Sequence, residues 1–276
     1  MKPFYLTLPL CAAVLLSSST VLAQAQRPRT ASGSQPQKPE NKSLRPSNEA
    51  RVKYAQLLKS GNTRLLVLLP RETYDPHVNG RRIVSTIPND DTPTLGTPVA
   101  GSTEGAFTHL SNVQRIGAVA QGRKSGDVRG GGAYYSFTYR THNYGDASHL
   151  SLSRGKFAVG FSGAAYGFLT DLGDVPLESV SLNTPAANLP ATYERASREG
   201  IARSEHRRFA DGVVVDGITF KRELPMVPNS TYVLRAVNYG NSDVLVAFKV
   251  VEVESDGAAL ILWKLLKRYS TPQLER

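Results

Sequence analysis

Between residues 133 and 142 every second position from Tyr135 to Tyr139 is aromatic: Tyr135, Phe137 and Tyr139. Tyr134, Ser136, Thr138, Arg140 and His142 take the alternate places. A period of two puts the rings on one face and the polar groups on the other. That is a half-buried β-strand, because a helix repeats its faces near 3.6 residues. Asn143, Tyr144, Gly145 and Asp146 supply turn residues, and residues 148–153 alternate again through Leu150 and Leu152. A hairpin turning on Gly145-Asp146 sets His142 opposite His149, Arg140 opposite Ser151 and Tyr139 opposite Leu152. A turn on Tyr144-Gly145 keeps the same faces together, so the register stays open.

The rest of the chain reads in the same terms. Strands are expected over residues 64–69, 81–87, 156–161, 166–170, 178–182, 213–215, 217–222, 231–239 and 243–254, with Gly, Pro and Asp between them. Residues 258–269 read as a final strand after the Ser255-Asp256-Gly257 turn. With Asp256-Gly257 as the turn, Lys249 faces Lys264, and like charges directly opposite are unfavourable. A shifted register removes that conflict, and so does a terminal helix. A short helix is expected over 50–59, ended by Gly61, and one long charged surface helix, or an ordered excursion, over 189–209. Residues 88–112 read as a long loop. The expected fold is mainly β with a minority of helix: one antiparallel β-sandwich or open-barrel-like domain over residues 51–276, with one or two helices. The short, uneven strands do not suit an outer-membrane barrel.

Residues 1–25 have the form of a secretory signal peptide: Lys2, an apolar run, a polar break, and Ala23-Gln24-Ala25 before the expected cleavage point. The expected location is therefore secreted, periplasmic or cell-envelope. Cys11, the single cysteine, lies inside this segment, and Leu10 before it is not the small residue a lipidation site needs. The processed chain would be cysteine-free, which excludes disulfides, thiolate metal sites and cysteine nucleophiles. No later apolar stretch reaches the ~20 residues of a spanning helix. The chain is thus not expected to be transmembrane after cleavage.

Charge separates the leader from the body. The whole chain carries a formal +10. Residues 26–60 hold eight bases and two acids, whereas residues 61–276 hold 24 bases and 21 acids. A nucleic-acid-binding domain would concentrate bases on its folded part, so no nucleic-acid partner is expected. Residues 26–50, rich in Pro, Ser and Gln, read as a disordered basic tether. Residues 26–60 would be attracted to an anionic envelope surface or an acidic polymer.

Five groups of residues are weighed as carriers of chemistry. His142 and His149, facing across the expected hairpin with Asp146 at its turn, could supply three metal ligands. Tyr134, Arg140, His142, Tyr144 and His149 could form a platform for sugar or peptide. Gly160-Phe161-Ser162-Gly163-Ala164 loosely matches a nucleophile elbow, with Asp171 or Asp174 and then His206 in the serine–acid–histidine order of an α/β-hydrolase. Ser153-Arg154-Gly155-Lys156 matches S-x-x-K in letters only and reads as a strand turn. The segment from Gly122 to Gly126 with Gly130, Gly131 and Gly132 reads as a flexible basic loop, one residue out of step with a phosphate loop. Nothing in the chain implies a cofactor. The expectation is a non-enzymatic binding or scaffold protein. A secreted hydrolase and a structural module of an envelope assembly are the alternatives.

Overall fold

The computed structural model describes residues 42–75, 78, 128–142, 144–161 and 164–275. The expected signal peptide, the strand over 81–87, the loop over 88–112 and Ser162 lie outside the described residues.

The architecture is mainly β and antiparallel throughout. A five-stranded sheet has the order β1-β11-β10-β9-β5, built from β1 Thr63–Leu68, β5 Tyr166–Asp171, β9 Thr231–Asn238, β10 Ser242–Val253 and β11 Ala259–Arg268. A four-stranded sheet has the order β2-β3-β4-β8, from β2 Tyr134–Tyr135, β3 Leu150–Ser153, β4 Lys156–Ala158 and β8 Glu223–Pro225. β6 Val213–Val215 and β7 Ile218–Phe220 form a separate ribbon.

The two larger sheets face each other across one apolar layer. Leu66, Leu234, Phe248 and Trp263 of the large sheet meet Tyr135, Leu152 and Phe157 of the small one. The large sheet is buried on its other face too. There Leu65, Val233, Leu245 and Leu262 meet Ala50, Leu57 and Ala187 from the helices. A strand buried on both faces reads as a continuous apolar run, as 244–248 does, and such a run needs cover on two sides. That second cover explains why the described residues contain five helices where one or two were expected. They are α1 Asn48–Lys53, α2 Ala55–Leu58, α3 Arg71–Tyr74, α4 Pro185–Thr192 and α5 Glu199–Asp211. Phe209 of α5 stacks on Phe168 of β5 at 4.1 Å.

The expected helix over 189–209 is split between α4 and α5. Arg235, on β9 and 1% exposed, is the cause. Its guanidinium pairs with buried Asp243 (Nε to Oδ1, 2.7 Å; Nη2 to Oδ2, 2.8 Å). Its Nη1 donates to the carbonyls of Pro190 and Tyr193, at 2.5 and 3.3 Å. Those carbonyls end α4 at a fixed charge, and the chain turns out of the helix at Tyr193.

Three local expectations change in the structure. The strand over 133–142 stops at Tyr135: a Ser136–Thr141 bridge closes a tight turn, with Arg140 at φ 55° donating its N–H to Ser136 at 2.7 Å. Tyr134 then pairs with Ser151 and Tyr135 with Leu150, so the His142–His149 and Arg140–Ser151 pairings do not form. Residues 177–179 make a 3-10 turn in place of the strand expected over 178–182. Leu177 and Val180, three apart, are the residues it buries. The final strand does form, with bulges that place Lys249 opposite Leu262 and Lys264 opposite Ala247. The two lysines end as diagonal neighbours with separate acceptors. Lys249 pairs with Asp174 at 2.5 Å, and Lys264 donates to the Glu178 carbonyl at 3.1 Å.

Residues 42–50, part of the expected tether, are bound into this body. Leu44 is buried in the helix-side core. Lys42 forms ion pairs with Glu254 and Asp256, and Ser47 caps α1 by accepting the Ala50 N–H at 3.0 Å.

Candidate functional site

A glycine turn assembles the most distinctive surface. Gly130, Gly131 and Gly132 are all left-handed, at φ 82°, 61° and 83°. A side chain at Gly131 would overlap the carbonyl of Tyr74, and one at Gly130 would overlap the ring of Tyr134. Only glycine lets the backbone come this close. The Leu69 N–H donates to the Gly132 carbonyl at 3.2 Å, tying the turn to the end of β1. The turn thereby clamps α3 against β2 and brings Arg71 to Tyr134, 63 positions away in the chain. The segment read as a flexible basic loop is closely packed over 130–132, while residues 122–126 lie outside the described part.

Arg71 lies with its guanidinium carbon 5.9 Å from the Tyr134 ring centre. Its Nε donates to Asp75 at 3.1 Å, and the Asp75 carboxylate is buried. Tyr134 meets Tyr144 edge-on at 4.8 Å and Phe161 at 5.3 Å, with ring planes 62° and 86° apart. Arg129, exposed, stands 5.6 Å from the Tyr144 ring. Its carbonyl accepts the Tyr144 N–H at 2.9 Å, which holds the two residues together. No carboxylate pairs with Arg129 among the described residues. Burial raises the Tyr134 hydroxyl's pKa, against a smaller opposing pull from Arg71, so the hydroxyl stays protonated at neutral pH.

Glu72, beside Arg71 on α3, serves the neighbouring turn. Burial pushes its carboxyl upward, but hydrogen bonds from the Arg154 N–H and the Ser153 hydroxyl outweigh burial and hold it below its ordinary value. Arg154 (φ 51°) and Gly155 (φ 66°) form the two-residue turn between β3 and β4, where Ser153 pairs with Lys156. The S-x-x-K letters therefore mark a hairpin turn.

The histidines proposed for metal or for the platform point inward. His142 is buried, and its Nε2 lies 2.7 Å from the Val67 carbonyl, to which it donates. It thus covers part of the free edge of β1. Burial lowers its pKa to about 4. His149 is fully buried. Its Nδ1 accepts the Phe137 N–H at 3.0 Å and its Nε2 donates to Ser242 Oγ at 2.7 Å. Burial, helped by the charge of Arg268, lowers its pKa to about 3. Asp146 lies exposed on its turn. The described residues hold no group of three His, Cys, Asp or Glu placed to bind a metal ion. Of the five platform residues, Tyr134 and Tyr144 come together, and His142 and His149 are in the core. Arg140 sits on the 137–140 turn that follows β2.

The serine–histidine arrangement is also resolved in part. His206 is half-buried on α5, and its Nε2 accepts from Arg222 Nη1 at 2.8 Å. Its other nitrogen donates to the Ala165 carbonyl; burial first, then Arg222, lowers its pKa. Asp171 is exposed at the far end of β5 from Ala165, roughly 20 Å away at strand rise. Its Oδ1 accepts the Gly173 N–H at 2.8 Å. His206 and Asp171 are thus not brought together.

Arg71 and Arg129 carry no signal in the sequence, and Phe161 enters there only as a position of the Gly160–Ala164 motif. The triple glycine between Arg129 and Tyr134 was the available signal, since three successive glycines mark a close backbone approach. Nothing in the sequence showed that Tyr74 makes that approach. No protein-family model, curated protein or solved structure matches the chain.

Proposed function

We propose that this is an exported, envelope-associated binding protein, non-enzymatic, held at an anionic surface by its basic N-terminal region. The observation that carries the reading is where the bases lie. Of the eight between residues 26 and 60, five fall on the ordered segment Lys42 to Lys59, with Glu49 the one acid among them. Lys42 is paired within the fold, and Lys53 and Lys59 lie on or beside α1 and α2. Lys53 and Lys59 are exposed. The body beyond residue 60 is nearly balanced, so the excess charge lies in residues 26–60. The export reading of residues 1–25 places that charge where phospholipid headgroups or acidic wall polymers are available. Among the described residues no helix is long and apolar enough to cross a membrane.

Co-sedimentation with phosphatidylglycerol vesicles tests this. Basic residues near such a surface contribute ~1 kcal/mol each, screened by salt. Lys53→Glu with Lys59→Glu should therefore weaken association at low salt by at least tenfold, and deletion of residues 26–41 should weaken it less. Association that is insensitive to both changes and to salt would refute the reading.

A further inference from the structure

We propose that the patch formed by Arg71, Tyr134, Tyr144, Phe161 and Arg129 binds an acidic saccharide: a pyranose ring carrying a carboxylate. The assignment rests on the reading of the protein as a binder and names what its folded part recognises.

Two planar cations and three rings are held close together here. Asp75, buried, fixes Arg71 through Nε, and the two Nη groups are free of that bond; the side chain is 43% exposed. A guanidinium presenting paired N–H groups matches the two oxygens of a carboxylate. Tyr134 is a nearly buried floor, and Tyr144 and Phe161 stand steeply to it as partly exposed walls. A niche of rings at such angles takes the apolar C–H face of a sugar, while the tyrosine hydroxyls supply donors for its hydroxyl groups. The nearby acids are both engaged, Asp75 with Arg71 and Glu72 with the Ser153–Arg154 turn, so neither is directed at a ligand. Arg129 adds a second guanidinium, 5.6 Å from the Tyr144 ring.

The same features disfavour an acidic peptide. A peptide adding to a sheet edge needs a run of open backbone groups. β2 is only two residues long and ends in turns on both sides, so recognition falls to side chains. The patch is also pre-formed. The glycine turn and the buried Asp75 fix its shape before a ligand arrives, which lowers the ordering cost of binding.

Calorimetric titration of the purified full chain with trigalacturonate, maltotriose and triglutamate decides the matter. Trigalacturonate should bind at least tenfold more tightly than either of the others. Arg129→Ala and Tyr144→Leu should each weaken it fivefold or more. Arg71→Lys keeps both the charge and the Asp75 partner, and should still weaken binding because the paired N–H groups are lost. Arg129 is exposed, so its variant folds and keeps the test open if a change at Arg71 disturbs the clamp. Equal binding of triglutamate or maltotriose would overturn the proposal, as would wild-type affinity in the Arg129 and Tyr144 variants. The Lys53→Glu, Lys59→Glu variant should bind trigalacturonate normally. Loss of vesicle association and loss of sugar binding are thus separate results.

Discussion

Arg235 and Arg71 each lie over a tyrosine, and they have opposite roles. Arg235 sits 3.5 Å from the Tyr269 ring and is buried. Asp243 takes two of its donors, and the Pro190 and Tyr193 carbonyls take Nη1. Arg71 sits 5.9 Å from the Tyr134 ring, is half exposed, and has one donor engaged, by Asp75. A guanidinium has five N–H groups. Where the protein satisfies nearly all of them the residue is a joint, here fixing α4 and the C-terminal segment to the large sheet. Where it orients the group and satisfies one, the remaining donors are left for a ligand or water. Donor accounting separates the two roles; the ring contact alone does not.

The contrast can be broken first at the joint. Asp243→Ala leaves Arg235 buried without its counter-charge and should cost 3–5 kcal/mol, about the scale for breaking a buried pair, read as a shift in urea midpoint. Sugar binding should fall only as far as the protein unfolds. Acid acts on the interior in a similar way. His142 and His149 are neutral in the fold, with pKa values lowered to about 4 and about 3. The unfolded chain protonates both below pH 6.5, so it binds more protons than the fold. Stability is therefore complete above pH 6.5. It should fall by roughly 1 kcal/mol per histidine per pH unit as pH drops toward those values. Denaturant curves at pH 7 and pH 5 should show this loss, and His149→Gln should reduce the slope between them. Arg71, its pKa raised, keeps its charge throughout.

Glycine substitutions make a finer comparison. Gly131 and Gly155 have nearly the same backbone angle, φ 61° and 66°, but a side chain at Gly155 meets nothing within 4 Å. Gly155→Ala should cost about 1 kcal/mol, the left-handed strain alone. Gly131→Ala adds the overlap with Tyr74 and should cost about 2 kcal/mol or more, and should weaken trigalacturonate binding by separating α3 from β2. Arg129→Ala is the smallest change: within about 0.5 kcal/mol in stability, as for an exposed side chain, with its effect confined to the ligand.

The sequence revealed elements whose signals are local. The β9–β10–β11 meander shows as apolar runs separated by short turns, and α2 closes at Leu58, whose carbonyl accepts the N–H of the left-handed Gly61. The Lys249–Lys264 conflict was a sound reason to doubt the simple register, and the bulges resolve it. The hairpin misled because its alternation is real while its backbone partners are replaced. The His149 ring takes the Phe137 N–H, and the chain turns back after Ser136. The helical cover was underestimated because no single strand reports that its sheet is buried on both faces. The patch was legible only in halves. Tyr134 and Tyr144 could be read as a pair, but Arg71 reaches them through contacts made by glycine backbone, and glycine leaves no pattern of polarity to read.

The clasp at Lys42 has a mechanical consequence. If the protein hangs from its leader, tension enters at Lys42 and Leu44, and passes through the ion pairs with Glu254 and Asp256 to the tip of the β10–β11 hairpin. Load applied there peels charges from a hairpin end one after another before it shears a strand along its length. The clasp would thus release at low force as a fuse, lengthening the tether while the sheets stay intact. A pulling experiment on Glu254→Gln should lower the force of the first rupture and leave that of the last unchanged.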